Sequence, residues 1–80
     1  MNLKIITPEK MLFQGQVSLI QVPGKSGTFE VLKNHAPIIS TLVKGKVKIK
    51  DTQEQIKFFD IDGGVIQVRH NDIVLLTEMV

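Results

Sequence analysis

The chain has 80 residues, enough for one domain and too few for a second. Its ten basic and eight acidic residues leave a formal charge of +2, too small an excess to indicate nucleic-acid binding. It contains no cysteine, which excludes disulfides, zinc sites with thiolate ligands and thiol nucleophiles. The first residues lack the apolar core of a signal peptide, and no apolar run approaches the ~20 residues that span a bilayer. We therefore expect a cytoplasmic protein, or one peripheral to a membrane on its cytoplasmic side.

Short apolar segments alternate with turn signals along the whole chain. The segments are rich in Val, Ile, Leu and Phe, and no window shows a helical period with caps. This pattern predicts one all-β domain over residues 1–80, a small flattened β-sandwich or barrel of about eight to ten short, mostly antiparallel strands. The turn signals are Thr7-Pro8, Gly15, Pro23-Gly24, Ser26-Gly27, Asn34 to Pro37, Gly45, Asp51-Thr52, Asp62 to Gly64 and His70 to Asp72.

The most unusual turn signal is Asn34-His35-Ala36-Pro37. Pro37 fixes its own φ and pushes the residue before it into an extended conformation. Asn34 tolerates left-handed backbone angles, so the motif can turn the chain sharply into the next strand. A rigid, polar-tipped connection on a small β scaffold is a natural place for recognition.

A first hairpin is predicted around a turn centred on Thr52-Gln53. Folding back there pairs Ile49 with Ile56 and Val47 with Phe58 on one face. On the other face Lys48 lies beside Lys57, with further lysines in line, which indicates a face that is solvated or meets something acidic. Those further lysines are Lys44, Lys46 and Lys50.

A second hairpin is predicted to turn at His70-Asn71. Its register pairs Val68 with Ile73 and Ile66 with Leu75, and on the reverse face Val65 with Leu76 and Gln67 with Val74. Both faces are then largely apolar, although a two-layer sandwich covers only one face of each sheet. The second apolar face therefore needs a cover from another strand or from another protein.

Nothing in the sequence indicates catalysis, and we expect no catalytic, cofactor-binding or metal-binding residue and no small-molecule substrate. Asp60-x-Asp62 has no further ligands at the spacing of a calcium loop. Gly24-Lys25-Ser26-Gly27 lacks the Lys-Ser/Thr of a phosphate loop and opens no helix. His35 has two open interpretations, a turn residue whose ring bonds a backbone group or a contact for a partner subunit.

The ordered motifs also resemble a known family. They are Gly24-x-x-Gly27, Asn34-His35-Ala36-Pro37, Leu42-x-x-Gly45 and Gly63-Gly64, within a match that runs from about Leu3 to Leu76. Together they resemble the N-terminal β-domain of the epsilon subunit of the rotary F-type ATP synthase. Typical members continue into an α-helical hairpin, which this sequence, ending at Val80, lacks.

The resemblance implies a non-catalytic rotor subunit, peripheral to the cytoplasmic face of the bacterial inner membrane. It links the gamma subunit to the c-ring, so its membrane contact is indirect, and it couples proton translocation to ATP synthesis. Residues 28–35 would lie at the end that meets the ring and gamma, while an apolar sheet face would pack against gamma. The interface residues that this implies are Thr28, Glu30, Lys33, Asn34, His35, Val65, Val74 and Leu76. Thr28, Glu30 and Lys33 stand where members commonly carry Glu, Gly and Pro.

Two other classes of protein remain as alternatives. A small OB-like barrel that binds nucleic acid or oligosaccharide gains support only from the lysines. The four Phe sit among apolar residues and are expected in the core, not as a platform for stacked bases. A biotinyl- or lipoyl-type domain needs a lysine at an exposed hairpin tip, and neither predicted tip has one.

Overall fold

The computed structural model describes residues 1–79, and these residues form strands and turns with no helix. The all-β prediction is therefore confirmed, but the strands are six and three of them have 14 residues each. We expected more and shorter strands because glycines and lysines interrupt the apolar runs inside these long strands. The strands are β1 (Asn2–Ile6), β2 (Met11–Gly24), β3 (Gly27–Leu32), β4 (Ile38–Asp51), β5 (Ile56–Arg69) and β6 (Asp72–Met79).

The strands follow the order β1-β6-β5-β4-β2-β3, and β1 also pairs with β2. That last pairing closes the sheet into a flattened barrel, whose two layers face each other like a sandwich. Only β1 and β6 run parallel among the described strands; the other pairs are antiparallel, as predicted.

Fourteen aliphatic side chains fill the space between the layers. Leu42 is 3% exposed, and the others are at most 1% exposed. Phe13, Phe29 and Phe59 are only partly buried at its margin, and Phe13 meets Phe59 edge to face with 6.3 Å between ring centroids. Phe58 is 57% exposed, so placing it in the core was wrong. The core members are Leu3, Ile5, Val17, Ile20, Val22, Val31, Leu42, Val47, Ile49, Ile61, Ile66, Val68, Ile73 and Leu75.

The long β4–β5 ribbon passes from one layer to the other and changes its inward face on the way. In β4 the buried residue is Leu42 in the first half and Val47 and Ile49 in the second, a change from even to odd numbers. The switch coincides with Gly63 and Gly64, whose φ values of 90° and 152° suit glycine, and with a register shift between β5 and β6. A side chain at Gly64 would also collide with the carbonyl oxygen of Leu76.

The register predicted for the first hairpin is wrong by one residue. Ile49 lies opposite Lys57 and Lys48 opposite Phe58, so Lys48 and Lys57 are not side by side. The turn is centred on Gln53, because Asp51 Oδ1 accepts hydrogen bonds from the amides of Gln53 and Gln55 at 2.8 and 2.9 Å. These bonds, with the left-handed Glu54 (φ 67°), add a residue to the turn.

The register predicted for the second hairpin is confirmed. Val68 pairs with Ile73, Val65 with Leu76, and the turn is formed by residues 70 and 71. His70 takes the left-handed conformation that a two-residue connection needs, with φ at 51°.

Candidate interaction surface

The loop of residues 33–37 connects β3 to β4 and is held by local hydrogen bonds. Asn34 is left-handed, with φ at 68°, as its side chain allows. The backbone amide of His35 donates to the carbonyl of Leu32 at 3.1 Å, closing the turn. The His35 ring donates through Nδ1 to the carbonyl of Ala36 at 2.6 Å. A backbone contact of this ring was one of the two interpretations of His35, and the bond leaves Nε2 free for another group.

Thr28, Glu30 and Lys33 are all exposed and do not cluster with the loop's histidine in one pocket. Thr28 lies opposite Pro23 at the start of β3, beside the tight Gly24–Gly27 turn. It shares a shallow depression with Ile39 of β4, whereas Glu30 lies opposite Gln21 further along β3. The loop-side candidates therefore spread along one edge of the sandwich.

Val65, Val74 and Leu76 do lie together on the outer surface of the β5–β6 hairpin. Val65 and Leu76 are direct cross-strand partners, 39% and 52% exposed, and Ile6 of β1 is the next residue in that row. We call the outward side chains Ile6, Ile39, Val65, Val74 and Leu76 the apolar face. Large apolar groups in contiguous exposed rows are typical of surfaces that another protein covers.

Ile39 is a member of the apolar face that the sequence analysis missed. It is 73% exposed, pairs with Gln67, and through Gln67 stands in the same row as Val74. It also lines the depression beside Thr28 and a groove that includes Pro37. Ile39 thus joins the apolar face to the loop region. The adjacent Ile38-Ile39 pair was the available signal, since a strand that buries one of two neighbours exposes the other.

The apolar face becomes polar toward one end of its strands. Beyond Val74 the next row carries Asp72 paired with Arg69, and Asn2 lies beside Asp72. Lys4 flanks Val74 on β1. A partner with an apolar patch bordered by charges of both signs would match this surface.

The histidine and acidic side chains are dispersed over the described part of the chain. Within residues 1–79 no group of three or more His, Asp or Glu side chains is arranged to hold a metal ion. His35 and His70 lie in separate turns on different connections. Across the same residues, no helix is long and apolar enough to cross a membrane.

Comparison with known sequences assigns the chain to a family. The family described as ATP synthase, delta/epsilon chain, β-sandwich domain matches residues 1–80. The ATP synthase epsilon chain of Chlorobium limicola is 40% identical over 77 residues, which cover 96% of this chain and 88% of that one. The epsilon chain of Caulobacter vibrioides is 42% identical, with 98% and 90% covered. That of Leptospira borgpetersenii is 40% identical, and the match covers 98% of this chain but 61% of the relative.

Solved structures share the fold at lower identity. A chain of the Euglena gracilis mitochondrial ATP synthase, determined as an OSCP/F1/c-ring assembly, superimposes with a TM-score of 0.89 at 19% identity, covering 94% of this chain and 48% of that one. A chain from the central stalk and c-ring of the Tetrahymena thermophila enzyme gives 0.81 at 17% identity, covering 96% and 62%. With the full-length family match and relatives above 40% identity, the chain belongs to the family of β-sandwich domains of ATP synthase delta/epsilon chains.

Proposed function

We propose that this chain is a non-catalytic central-stalk subunit of an F1Fo ATP synthase, joining the gamma subunit to the c-ring. The observation that carries the proposal is the apolar face, which is continuous through Ile39 with the loop of residues 33–37. One partner can cover the apolar face while another meets the loop edge, so the domain can join two proteins. Relatives that are ATP synthase epsilon chains, and a structural neighbour from a central stalk, support this role.

Gamma is proposed to cover the apolar face. Leu76, Val65 and Ile39 stand 52%, 39% and 73% exposed in contiguous rows, and burying such side chains stabilises a complex by roughly 25 cal/mol per Å² before association costs. The strands beneath them are fully paired, so the face is presented without a cost of ordering it.

The c-ring is proposed to meet the loop edge, with Thr28, Glu30, Lys33, Asn34 and His35 as contact residues. These side chains are polar and exposed or half-buried, as expected of a surface that meets polar loops. The left-handed Asn34 and the two hydrogen bonds of His35 limit the motion of this edge. A defined edge transmits torque between the ring and gamma with little loss to local bending.

The subunit is proposed to transmit rotation without any chemical step of its own. In this scheme proton flow turns the ring, and ring, epsilon-type subunit and gamma turn together to drive ATP synthesis in the catalytic head. The proposed location is the cytoplasmic face of the bacterial inner membrane, where the domain is attached only through its protein partners.

Complex formation with a purified gamma subunit tests the gamma contact directly. We expect a complex at low and at moderate salt, and Leu76→Asp should weaken it by about 30-fold or more because a charge would be buried at the interface centre. Phe58→Asp is the matched control, since Phe58 is similarly exposed but lies on the other layer. If the unchanged chain and gamma form no complex, the proposed role is wrong.

Crosslinking tests the c-ring contact. Because the chain has no cysteine, Thr28→Cys introduces a single thiol that can form a disulfide with a cysteine placed in a ring loop. We expect crosslinking from residue 28 and none from the control Lys10→Cys. Equal yields from both positions would contradict the proposed orientation.

The nucleic-acid alternative has less support. The formal charge of the whole chain is only +2, too small an excess to attract a phosphate backbone. Titration with a single-stranded oligonucleotide separates the two functions, because the rotor role predicts no salt-dependent binding.

A further inference from the structure

A second exposed surface lies on the opposite side of the sandwich. It is formed by the outer faces of β2, β3 and the halves of β4 and β5 that bury Val47 and Ile61. We define the lysine face as the outward side chains Leu19, Leu32, Lys46, Lys48, Lys50, Ile56 and Phe58.

The lysine face has an ordered chemical pattern. Three lysines follow β4 at every second residue and form its central line. On one side stand Leu19 and Leu32, which are cross-strand partners on β2 and β3. On the other side stand Ile56 and Phe58 of β5, paired with Lys50 and Lys48. A row of amines thus runs beside one apolar strip, formed by Ile56 and Phe58. On the other side Leu19 and Leu32 lie only at the Lys50 end, because Gln21 and Glu30 lie beside Lys48.

The apolar residues are too exposed for an ordinary solvated face. Ile56 and Phe58 are 50% and 57% exposed and lie two residues apart on β5, so they form a patch, not scattered single residues. Leu32, 50% exposed, lies on β3, separated from β5 by β4 and β2. The Nζ of Lys46 lies 5.9 Å from the centroid of the Phe58 ring, so the aromatic ring is within reach of a cation.

The lysines can exchange their present partners at little cost. The pairs Lys46–Asp60 and Lys50–Glu54 involve strongly exposed acids, and exposed pairs contribute only ~0–1 kcal/mol. Lys48, between them, forms no ion pair with any residue from 1 to 79. The centre of the face therefore presents a free ammonium group.

The dimensions of the face match one α-helix. Alternate residues of a strand are ~6.7 Å apart, while side chains four apart on a helix rise ~6 Å. Strands on either side of β4 are ~9.6 Å apart, close to the ~10 Å diameter of a helix. A helix laid along β4 can therefore place carboxylates at every fourth position over the lysines and apolar residues over Ile56 and Phe58 on one side and over Leu19 at the Lys50 end of the other.

We propose that the lysine face binds an acidic amphipathic α-helix of a partner protein, laid along β4. A bilayer of anionic lipid fits less well, because a flat layer would also cover Glu30 on β3, which β2 separates from β4 and which a single helix along β4 leaves in solvent. The proposal does not depend on the gamma contact, which uses the other layer, and the lysine face approaches the proposed c-ring contacts only at Glu30.

A designed helical peptide of about 20 residues, with Glu at every fourth position beside a row of Leu, is the probe. Titration into the isotope-labelled protein, followed by amide NMR, should shift residues 46–50 and 56–58 and leave β6 unchanged. The same peptide with Lys in place of Glu should bind at least about tenfold more weakly. Raising the salt concentration should weaken binding of the Glu peptide.

Protein variants test the same contacts from the other side. Lys48→Glu should weaken peptide binding about tenfold or more, and Phe58→Ser should weaken it to a similar extent. Lys10→Glu, the same charge change on an exposed lysine away from this face, should have no effect. Thermal unfolding of each variant separates loss of binding from loss of fold.

Three outcomes would overturn the proposal. The first is equal binding of the Glu and Lys peptides. The second is amide shifts centred on Val65 and Leu76, and the third is charge-sensitive binding to phosphatidylglycerol vesicles with none to the peptide. Because gamma binding is measured separately, each of these results leaves the proposed rotor role untouched.

Discussion

The two outer surfaces of the sandwich expose comparable apolar residues but organise charge differently. On the apolar face, Leu76, Val65 and Ile6 form an uninterrupted row, and charged residues lie toward both ends of the strands, Asp72 and Arg69 at one and Asp62 and Glu78 at the other. On the lysine face, Leu19, Ile56 and Phe58 each lie opposite a lysine. The first arrangement favours a permanent contact that is insensitive to salt, whereas the second favours a reversible contact that salt weakens. One small domain can therefore hold one partner continuously and exchange another.

The separation of the apolar face from the lysine face depends first on Gly64, which lies where the β4–β5 ribbon changes its inward face. Gly64→Ala should lower the free energy of unfolding by about 3 kcal/mol or more, because a Cβ there meets the Leu76 carbonyl and φ is 152°. Gly27→Ala is the matched control, since φ is also positive, at 127°, but nothing lies near the added atom. Urea denaturation of both variants measures the difference; similar losses would show that the close contact at Gly64 is unimportant.

A substitution at Ile39 tests whether the surface that gamma covers extends from β5 and β6 to β4. Ile39→Asp should weaken gamma binding by about 30-fold while leaving stability nearly unchanged, because the side chain is 73% exposed. Isothermal titration with gamma measures the affinity. Leu32→Asp, a similar change on the lysine face, should bind gamma normally; equal weakening by both changes would mean that the two faces are not independent.

The position of Phe58 on the lysine face depends on the turn held by Asp51. Asp51→Ala removes the acceptor for two backbone amides and should cost about 1–2 kcal/mol of stability. Asp51→Asn keeps an acceptor oxygen and should recover most of the loss. Chemical denaturation compares the three proteins, and an equally unstable Asn variant would argue against the hydrogen bonds as the cause.

The smallest effect is expected for the ion pair between Lys46 and Asp60, which joins exposed side chains at 3.2 Å. Lys46→Gln should change the free energy of unfolding by no more than about 0.5 kcal/mol. The same change should weaken binding of the acidic helical peptide measurably. A large loss of stability would indicate that the lysines hold the fold together and are not free to meet a partner.

The sequence predicted a hairpin register correctly where side-chain alternation and turn type both indicate the same register. The β5–β6 register follows from a two-residue turn at His70-Asn71 and largely apolar residues on both sides. The β4–β5 register could not be obtained this way, because the two bonds of Asp51 and the left-handed Glu54 decide the turn length. Alternation alone cannot distinguish registers that differ by one residue when Phe58 and Phe59 are both apolar.

The candidate surface was predicted in part. Val65, Val74 and Leu76 were found because both sides of one hairpin are apolar, and the structure places them together. Ile39 was missed because its membership depends on the pairing of β4 with β5, between residues far apart in the chain. The contact roles of Thr28, Glu30 and Lys33 remain predictions.

The parallel pairing of β1 with β6 has a mechanical consequence. Five residue pairs, from Asn2–Asp72 to Ile6–Leu76, join the first strand to the last. A force that pulls these two strands apart along their length stretches all of their evenly spaced hydrogen bonds at once, instead of opening them one after another. The β1–β6 pair is thus loaded in shear, the direction in which a strand pair resists rupture best, and a domain built this way can carry tension without opening.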